Sequence, residues 1–194
     1  MYKVILFDFF GVFCASIATN WLKKAVPEYE AKLTAFQMLC TQSDLGMLSR
    51  SDFNKEVSKL TGIPVPEIVR GIEAEVAIDT QLVNYTEKLK ASGLRVACLS
   101  NGSHEWTLQV INEHGLEHVF EEVILSSDLG IVKPDPEIYL RALRKLGVQP
   151  SQAIFVDDRK ANAAAAEALG IRSFVFTDTP TFIEDFEKAT REAL

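Results

Sequence analysis

From Asp79 onward the chain repeats one unit: apolar residues at helical spacing, a glycine, then a short apolar run. Leu82, Tyr85 and Leu89 mark a helix that Gly93 closes, and residues 94–99 follow as a strand. Trp106, Val110 and Ile111 mark a helix ending near Gly115, before a strand at 122–125. Tyr139, Leu143 and Leu146 lead through Gly147 to a strand at 153–156. The alanine-rich stretch 161–169 closes at Gly170 ahead of a strand at 172–176. Pro180 then opens a terminal helix carrying Phe182, Ile183 and Phe186. Units of this kind join parallel strands by crossover helices, so the chain is constrained to an α/β fold. The expected architecture is a Rossmann-like parallel sheet with helices on both faces.

The first strand lies at the start of the chain. Val4, Ile5, Leu6 and Phe7 form an unbroken apolar run that ends in Asp8. Such a run suits a strand buried on both faces, and open α/β sheets bind ligands at the carboxyl ends of their strands. Gly11 lets the backbone turn away sharply. Taken alone, a strand followed by Asp-x-x-Gly fits a simple turn equally well.

After Phe13 the pattern is helical throughout. Ala18, Trp21, Leu22 and Ala25 share a helical face that Pro27 ends. Residues 28–40 form a second helix with Leu33, Phe36 and Leu39 on one side. Ser51 is the expected N-cap of a helix over 52–60, closed by Gly62, and Pro64 and Pro66 introduce a helix through Ile68, Ile72 and Val76. Nothing between 14 and 78 reads as a strand. The expectation is a core of residues 1–13 and 84–194 with an all-helical cap, 14–83, inserted after the first strand. The alternative is that these helices simply pack on the sheet.

Composition narrows the partners. Of the 194 residues, 20 are basic and 27 acidic, a net charge of −7 that argues against a general nucleic-acid surface. Cys14, Cys40 and Cys98 are sparse and odd in number, which suits reduced thiols in a cytoplasm rather than a disulfide frame. No basic leader with a cleavage site opens the chain, and no apolar run approaches the roughly 18 residues of a membrane span. A soluble cytoplasmic protein, monomer or homodimer, with no nucleic-acid or membrane partner is expected.

Each strand end carries chemistry. The second strand ends in Ser100-Asn101-Gly102-Ser103, where a hydroxyl and backbone amides at a helix start suit an anion, although N-capping by Ser103 accounts for part of this. After the third strand, Lys133 stands before a helix start set by Pro134 and Pro136, placed to aim its ammonium back at the strand ends. The fourth strand ends in Asp157-Asp158, adjacent carboxylates that repel unless a cation or donor lies near. An oxygen-only set favours magnesium over zinc. On one sheet edge these groups suit phosphoryl chemistry. Lysine and magnesium balance charge, Ser100 and amides hold phosphoryl oxygens, and Asp8 attacks phosphorus.

With these motifs in order, the chain resembles the haloacid dehalogenase-like (HAD) hydrolases over essentially its full length. Phe7-Asp8-x-x-Gly11-Val12 is similar to the nucleophile motif, Ser100-Asn101 to the second, Lys133-Pro134 to the third and Asp157-Asp158 to the metal motif. The insertion is similar to the helical cap of the subgroup containing bacterial sugar-phosphate phosphatases and the N-terminal phosphatase of soluble epoxide hydrolase. The resemblance implies a small phosphorylated substrate bound through Gly11, Ser100, Asn101, Gly102 and Lys133. It also implies magnesium held by Asp8, the backbone carbonyl of Phe10 and Asp158, with Asp157 acting mainly through a bound water.

One position departs from the pattern. Phosphatases of this family usually carry a second Asp two residues after the nucleophile, where this chain has Phe10. The resemblance therefore leaves three expectations: a slow magnesium-dependent phosphatase, a weakly active or non-catalytic phosphate binder, or a dehalogenase-type hydrolase. Dehalogenases share the aromatic residue and the Ser-Asn-Gly-Ser stretch but are Ser/Asn-rich where this chain has Asp157-Asp158. Arg50, Arg70, His104 and Trp106 are candidates for substrate recognition.

Overall fold

The structure is a computed structural model and describes residues 2–191. Five parallel strands form one sheet: β1 (Val4–Phe7), β2 (Arg95–Ser100), β3 (Glu122–Leu125), β4 (Ala153–Asp157) and β5 (Arg172–Val175), in the order β3-β2-β1-β4-β5. β1 is central because it is apolar on both faces. Ile5 and Phe7 enter one core with residues of α5 (Thr80–Ala91), α6 (His104–Glu113) and α10 (Thr179–Arg191). Val4 and Leu6 enter the other, against α8 (Pro136–Leu146) and Ala166 of α9 (Lys160–Ala168), while the short α7 (Ser126–Leu129) directly follows β3. All four β1 side chains are fully buried. At about 1.5–3 kcal/mol for each large apolar side chain, this strand alone contributes a gross stabilisation of order 10 kcal/mol. The doubly covered parallel sheet expected from the repeated unit is what forms.

Register sets the site. Phe7 pairs with Cys98 on one side and Val156 on the other, which brings Asp8 beside Ser100 and Asp157. The chain leaves β1 towards β2 but returns to β4 on its opposite edge. The sheet therefore reverses its winding at β1, the place where such folds open a crevice.

Between β1 and α5 lie α1 (Ile17–Ala25), α2 (Glu30–Asp44), α3 (Arg50–Thr61) and α4 (Val65–Glu73), which pack largely on one another: α2 on α3, α3 on α4, and α1 on α4. α5 starts at Thr80 and packs on β2, so a boundary at residue 83 falls inside it. Three local expectations need correction. The N-cap of α3 is Ser49, not Ser51: its hydroxyl accepts the Asp52 N–H at 3.1 Å and donates to the Asp52 carboxylate at 2.8 Å. Ser49-x-x-Asp52 is a capping pair that places Ser51 inside the first turn. α2 continues past Cys40 to Asp44, because no helix breaker intervenes before Gly46. α4 stops before Val76.

Among the described residues, no helix is long and apolar enough to cross a membrane. Cys14, Cys40 and Cys98 are all free thiols.

Candidate functional site

Asp8 is 5% exposed, and three donors converge on its Oδ1. These are the Phe9 N–H at 2.7 Å, the Ser100 hydroxyl at 2.6 Å and the Lys133 ammonium at 3.0 Å. Oδ2 accepts no hydrogen bond among the described residues, and Asp8 lines a cavity of about 500 Å³ between the sheet edge and the helical insertion. One oxygen is thus pinned and the other is left open. Burial pushes the Asp8 carboxyl up to about 7, with Lys133 opposing the rise and Asp157 adding to it.

Lys133 has a fully buried side chain, and its ammonium reaches Asp157 Oδ2 at 2.6 Å, Leu99 O at 2.8 Å and Asp8 Oδ1. Desolvation pulls its pKa down, but Asp8 and Asp157 together outweigh this and raise it, so Lys133 stays charged. Asp157 is saturated as well. Its Oδ1 accepts the Arg159 N–H at 2.8 Å, and Asn162 Nδ2 lies 2.9 and 3.0 Å from its two oxygens. This makes Asp157 the anchor that orients Lys133. Asn101 holds the lysine's backbone from the other side: Lys133 N–H donates to Asn101 Oδ1 at 2.8 Å and Asn101 Nδ2 donates to Lys133 O at 3.0 Å.

Asp158 differs from its neighbour. Its carboxylate is partly exposed at the cavity and has no side-chain partner among the described residues. Burial, then the Asp157 charge, raises its pKa, against Arg159 and Lys133. Gly11 admits it: with φ +99°, a Cβ there would sit 2.5 Å from Asp158 Oδ2. The Phe10 carbonyl accepts no backbone hydrogen bond among the described residues, whereas Phe9 O accepts those of Val12, Phe13 and Cys14. Asp8, Asp157 and Asp158 offer carboxylate oxygens within 4.8 Å of one another against one buried ammonium. Such a surplus of hard oxygen charge, with an open carbonyl beside it, fits a magnesium ion.

The sheet edge brings together Asp8, Ser100, Asn101, Lys133, Asp157 and Asp158 as the sequence order implies, but the expected substrate contacts are already engaged within the protein: Asn101 and Lys133 as above, and the Gly11 N–H with Cys14 O at 2.6 Å. The Ser100 hydroxyl is fully buried and donated to Asp8, and the Gly102 N–H donates to Ser126 Oγ at 3.1 Å. Ser103 occupies the N-cap position of α6 without a side-chain cap and lines the cavity instead. Of the four recognition candidates, Arg50 and Trp106 line the cavity. The Arg50 guanidinium stacks 4.5 Å from the Trp106 ring, pairs with Glu73 at 3.0 Å and bonds to Gln109. His104 is instead exposed and bound to Asp128 at 2.9 Å, and Arg70 lies exposed on α4 away from the cavity. Sequence reading missed Asp44, Gln37 and Asn54, which the insertion contributes to the cavity wall.

Residues 2–170 match the family described as haloacid dehalogenase-like hydrolases. The chain belongs to that family. It is 33% identical over 72 residues to a glyceraldehyde 3-phosphate phosphatase of Methanopyrus kandleri, matching 37% of this chain and 31% of that protein. It is 37% identical over 87 residues to (S)-2-haloacid dehalogenase 4A of Burkholderia cepacia, matching 45% of this chain and 38% of the relative. The chain thus spans less than half the length of either relative. A HAD family enzyme of Bacteroides thetaiotaomicron, solved with magnesium and inorganic phosphate, shares the fold at a TM-score of 0.77 and 21% identity. The match covers 91% of this chain and 95% of that one.

Proposed function

We propose that this chain is a magnesium-dependent phosphatase acting on a small phosphate ester, with a sugar phosphate the best-fitting class. The observation that carries this reading is the division of labour on Asp8: Oδ1 held by three donors, Oδ2 open to a cavity where Asp158 and the Phe10 carbonyl stand unpartnered. Asp8, the Phe10 carbonyl and Asp158 would hold the magnesium. When bound, the ion would neutralise phosphoryl charge and polarise the phosphorus. Asp8 Oδ2 attacks phosphorus and the ester oxygen departs, leaving an aspartyl phosphate that water then cleaves. Lys133 keeps Asp8 ionised and aimed, and Asp157 and Asn101 keep Lys133 in place. The amides at the start of α6, with Ser103, offer donors to phosphoryl oxygens. The cavity wall mixes Ser16, Thr19, Gln37 and Asn54 with Ile17, Phe53 and Trp106, which suits a hydroxylated carbon skeleton.

The helices α1–α4 of the insertion act in this reading as a cap that closes over the sheet edge and excludes water. The Phe10 ring carries no titratable group, so the turn by itself supports only slow cleavage of alkyl phosphates. The testing experiment is a panel of phosphate esters assayed with and without magnesium. Magnesium-dependent phosphate release supports the reading, while tight phosphate binding without turnover identifies a binder. A second reading, displacement at carbon, is favoured by the aromatic Phe10 and by the dehalogenase relative. Metal-independent halide release from a 2-haloacid would establish it.

A further inference from the structure

Phosphoryl transfer to Asp8 needs a proton for the departing oxygen, and breakdown of the intermediate needs a base for the attacking water. The titratable side chains lining the cavity, among the described residues, are Asp8, Cys40, Asp44, Arg50, Asp158 and Arg159. Asp8 is the nucleophile of the proposed reaction and Asp158 faces the cation position. The two guanidiniums do not give up protons at neutral pH, and burial, then the charge of Asp44, pushes the Cys40 thiol up to about 12. Asp44 remains.

Four observations single it out. Its carboxylate has no hydrogen bond or ion pair among the described residues, while it lines the cavity opposite the sheet edge. Its backbone is fixed to the sheet edge: Ser126 Oγ donates to Asp44 O at 2.6 Å and accepts the Gly102 N–H. Two residues on, Gly46 has φ +73°, and a Cβ there would sit 2.5 Å from Ser127 O, so the backbone of this corner lies against the strand end. Burial lifts the Asp44 carboxyl to about 6, against the charges of Arg159 and Lys133, so both protonation states are accessible near neutrality.

Resting on the phosphatase reading, we propose that Asp44, at the last residue of α2, is the general acid and base of the reaction in place of the carboxylate that position 10 lacks. As Asp8 Oδ2 forms its bond to phosphorus and the ester P–O bond breaks, protonated Asp44 gives its proton to the leaving oxygen, releasing the alcohol. The Asp44 carboxylate then takes a proton from a water whose oxygen attacks phosphorus. The Asp8–phosphorus bond breaks, phosphate leaves, and Asp44 is protonated again.

The test compares an alkyl phosphate with p-nitrophenyl phosphate, whose leaving group needs little protonation, both with magnesium. Asp44→Asn should lower kcat/KM on the alkyl ester by about 10²-fold or more and on the aryl ester by less than about tenfold. Adding Phe10→Asp to Asp44→Asn should recover at least about tenfold on the alkyl ester. Magnesium affinity by calorimetry should match wild type, which a merely structural loss would disturb. Equal losses on both esters, or no loss on either, overturn the assignment while leaving the phosphatase reading intact. A wild-type protein inactive on both esters overturns the two together. If Asp44→Asn does not fold, Asp44→Ser carries the same comparison.

Discussion

At the sheet edge, Lys133 spends its ammonium on Asp8, Asp157 and Leu99, Ser100 spends its hydroxyl on Asp8, and Asn101 spends both side-chain atoms on the Lys133 backbone. Across the same cavity, the side chains of Asp44, Gln37 and Asn54 have no protein partner among the described residues. The two walls therefore have different tasks. A saturated, buried network cannot rearrange cheaply, because each polar atom that loses its partner costs about 1–3 kcal/mol, and more when charged. It fixes where Asp8 stands. The unspent groups of the insertion have hydrogen-bonding capacity left for a ligand, so discrimination among substrates is expected to reside there.

The sharpest way to break this contrast is at Asp8. Asp8→Asn keeps the shape of the side chain and should lower phosphate release by about 10⁴-fold or more, with the fold retained by circular dichroism. Hydrolysis that persists in this variant would mean direct attack by water or a different site.

Lys133→Met probes the saturated wall in stability as well as rate. Removing the ammonium leaves Asp8 and Asp157 buried without their counter-charge, an expected loss of about 3–5 kcal/mol in chemical denaturation. A loss below about 1 kcal/mol would show that the network is not the rigid half of the site.

Asp158→Ala tests the unpaired carboxylate beside Gly11. Magnesium affinity measured by calorimetry should fall at least about tenfold, with little change in stability. Unchanged affinity would move the ion away from this edge. Phe10→Asp works in the opposite direction and should raise alkyl phosphate hydrolysis about tenfold in the Asp44→Asn background and far less in wild type, read from initial rates. An equal gain in both backgrounds, with magnesium binding intact, would mean that the insertion supplies no proton route.

The smallest effect is a pH slope. The folded pKa of Asp44 lies near 6, above the ordinary 3.8, through burial and despite Arg159 and Lys133; Cys40 on the same helix and Arg50 also line its cavity. A raised carboxyl pKa means that the folded protein favours the protonated form. Its contribution is complete below about pH 4 and is lost as pH rises through 6. The melting temperature of the metal-free protein should therefore fall more steeply across that window in wild type than in Asp44→Asn. Parallel curves would show that Asp44 is solvated in the folded state.

Much of the sheet edge is legible in one dimension because its signals are local. An apolar run that stops at a carboxylate, as at Phe7-Asp8 or Val156-Asp157, states both burial and chemistry within a few residues, and parallel pairing carries such ends to one edge. The partners of those groups were not legible. Ser100 reads as a phosphate ligand until the register sets it 2.6 Å from Asp8, a contact across 92 positions of chain. Asp44 was hidden twice. Thr41, Gln42 and Ser43 interrupt the apolar spacing of α2, so the pattern ends at Cys40 while the helix runs on to Asp44 ahead of Gly46. Its place at the cavity then depends on Ser126, a hydrogen-bond partner 82 positions away. Propensity and periodicity act over a turn or two of chain and determine which elements form. Which polar atoms are spent and which stay free is decided only when distant elements pack, since satisfaction of a buried donor or acceptor is a property of the assembled interior.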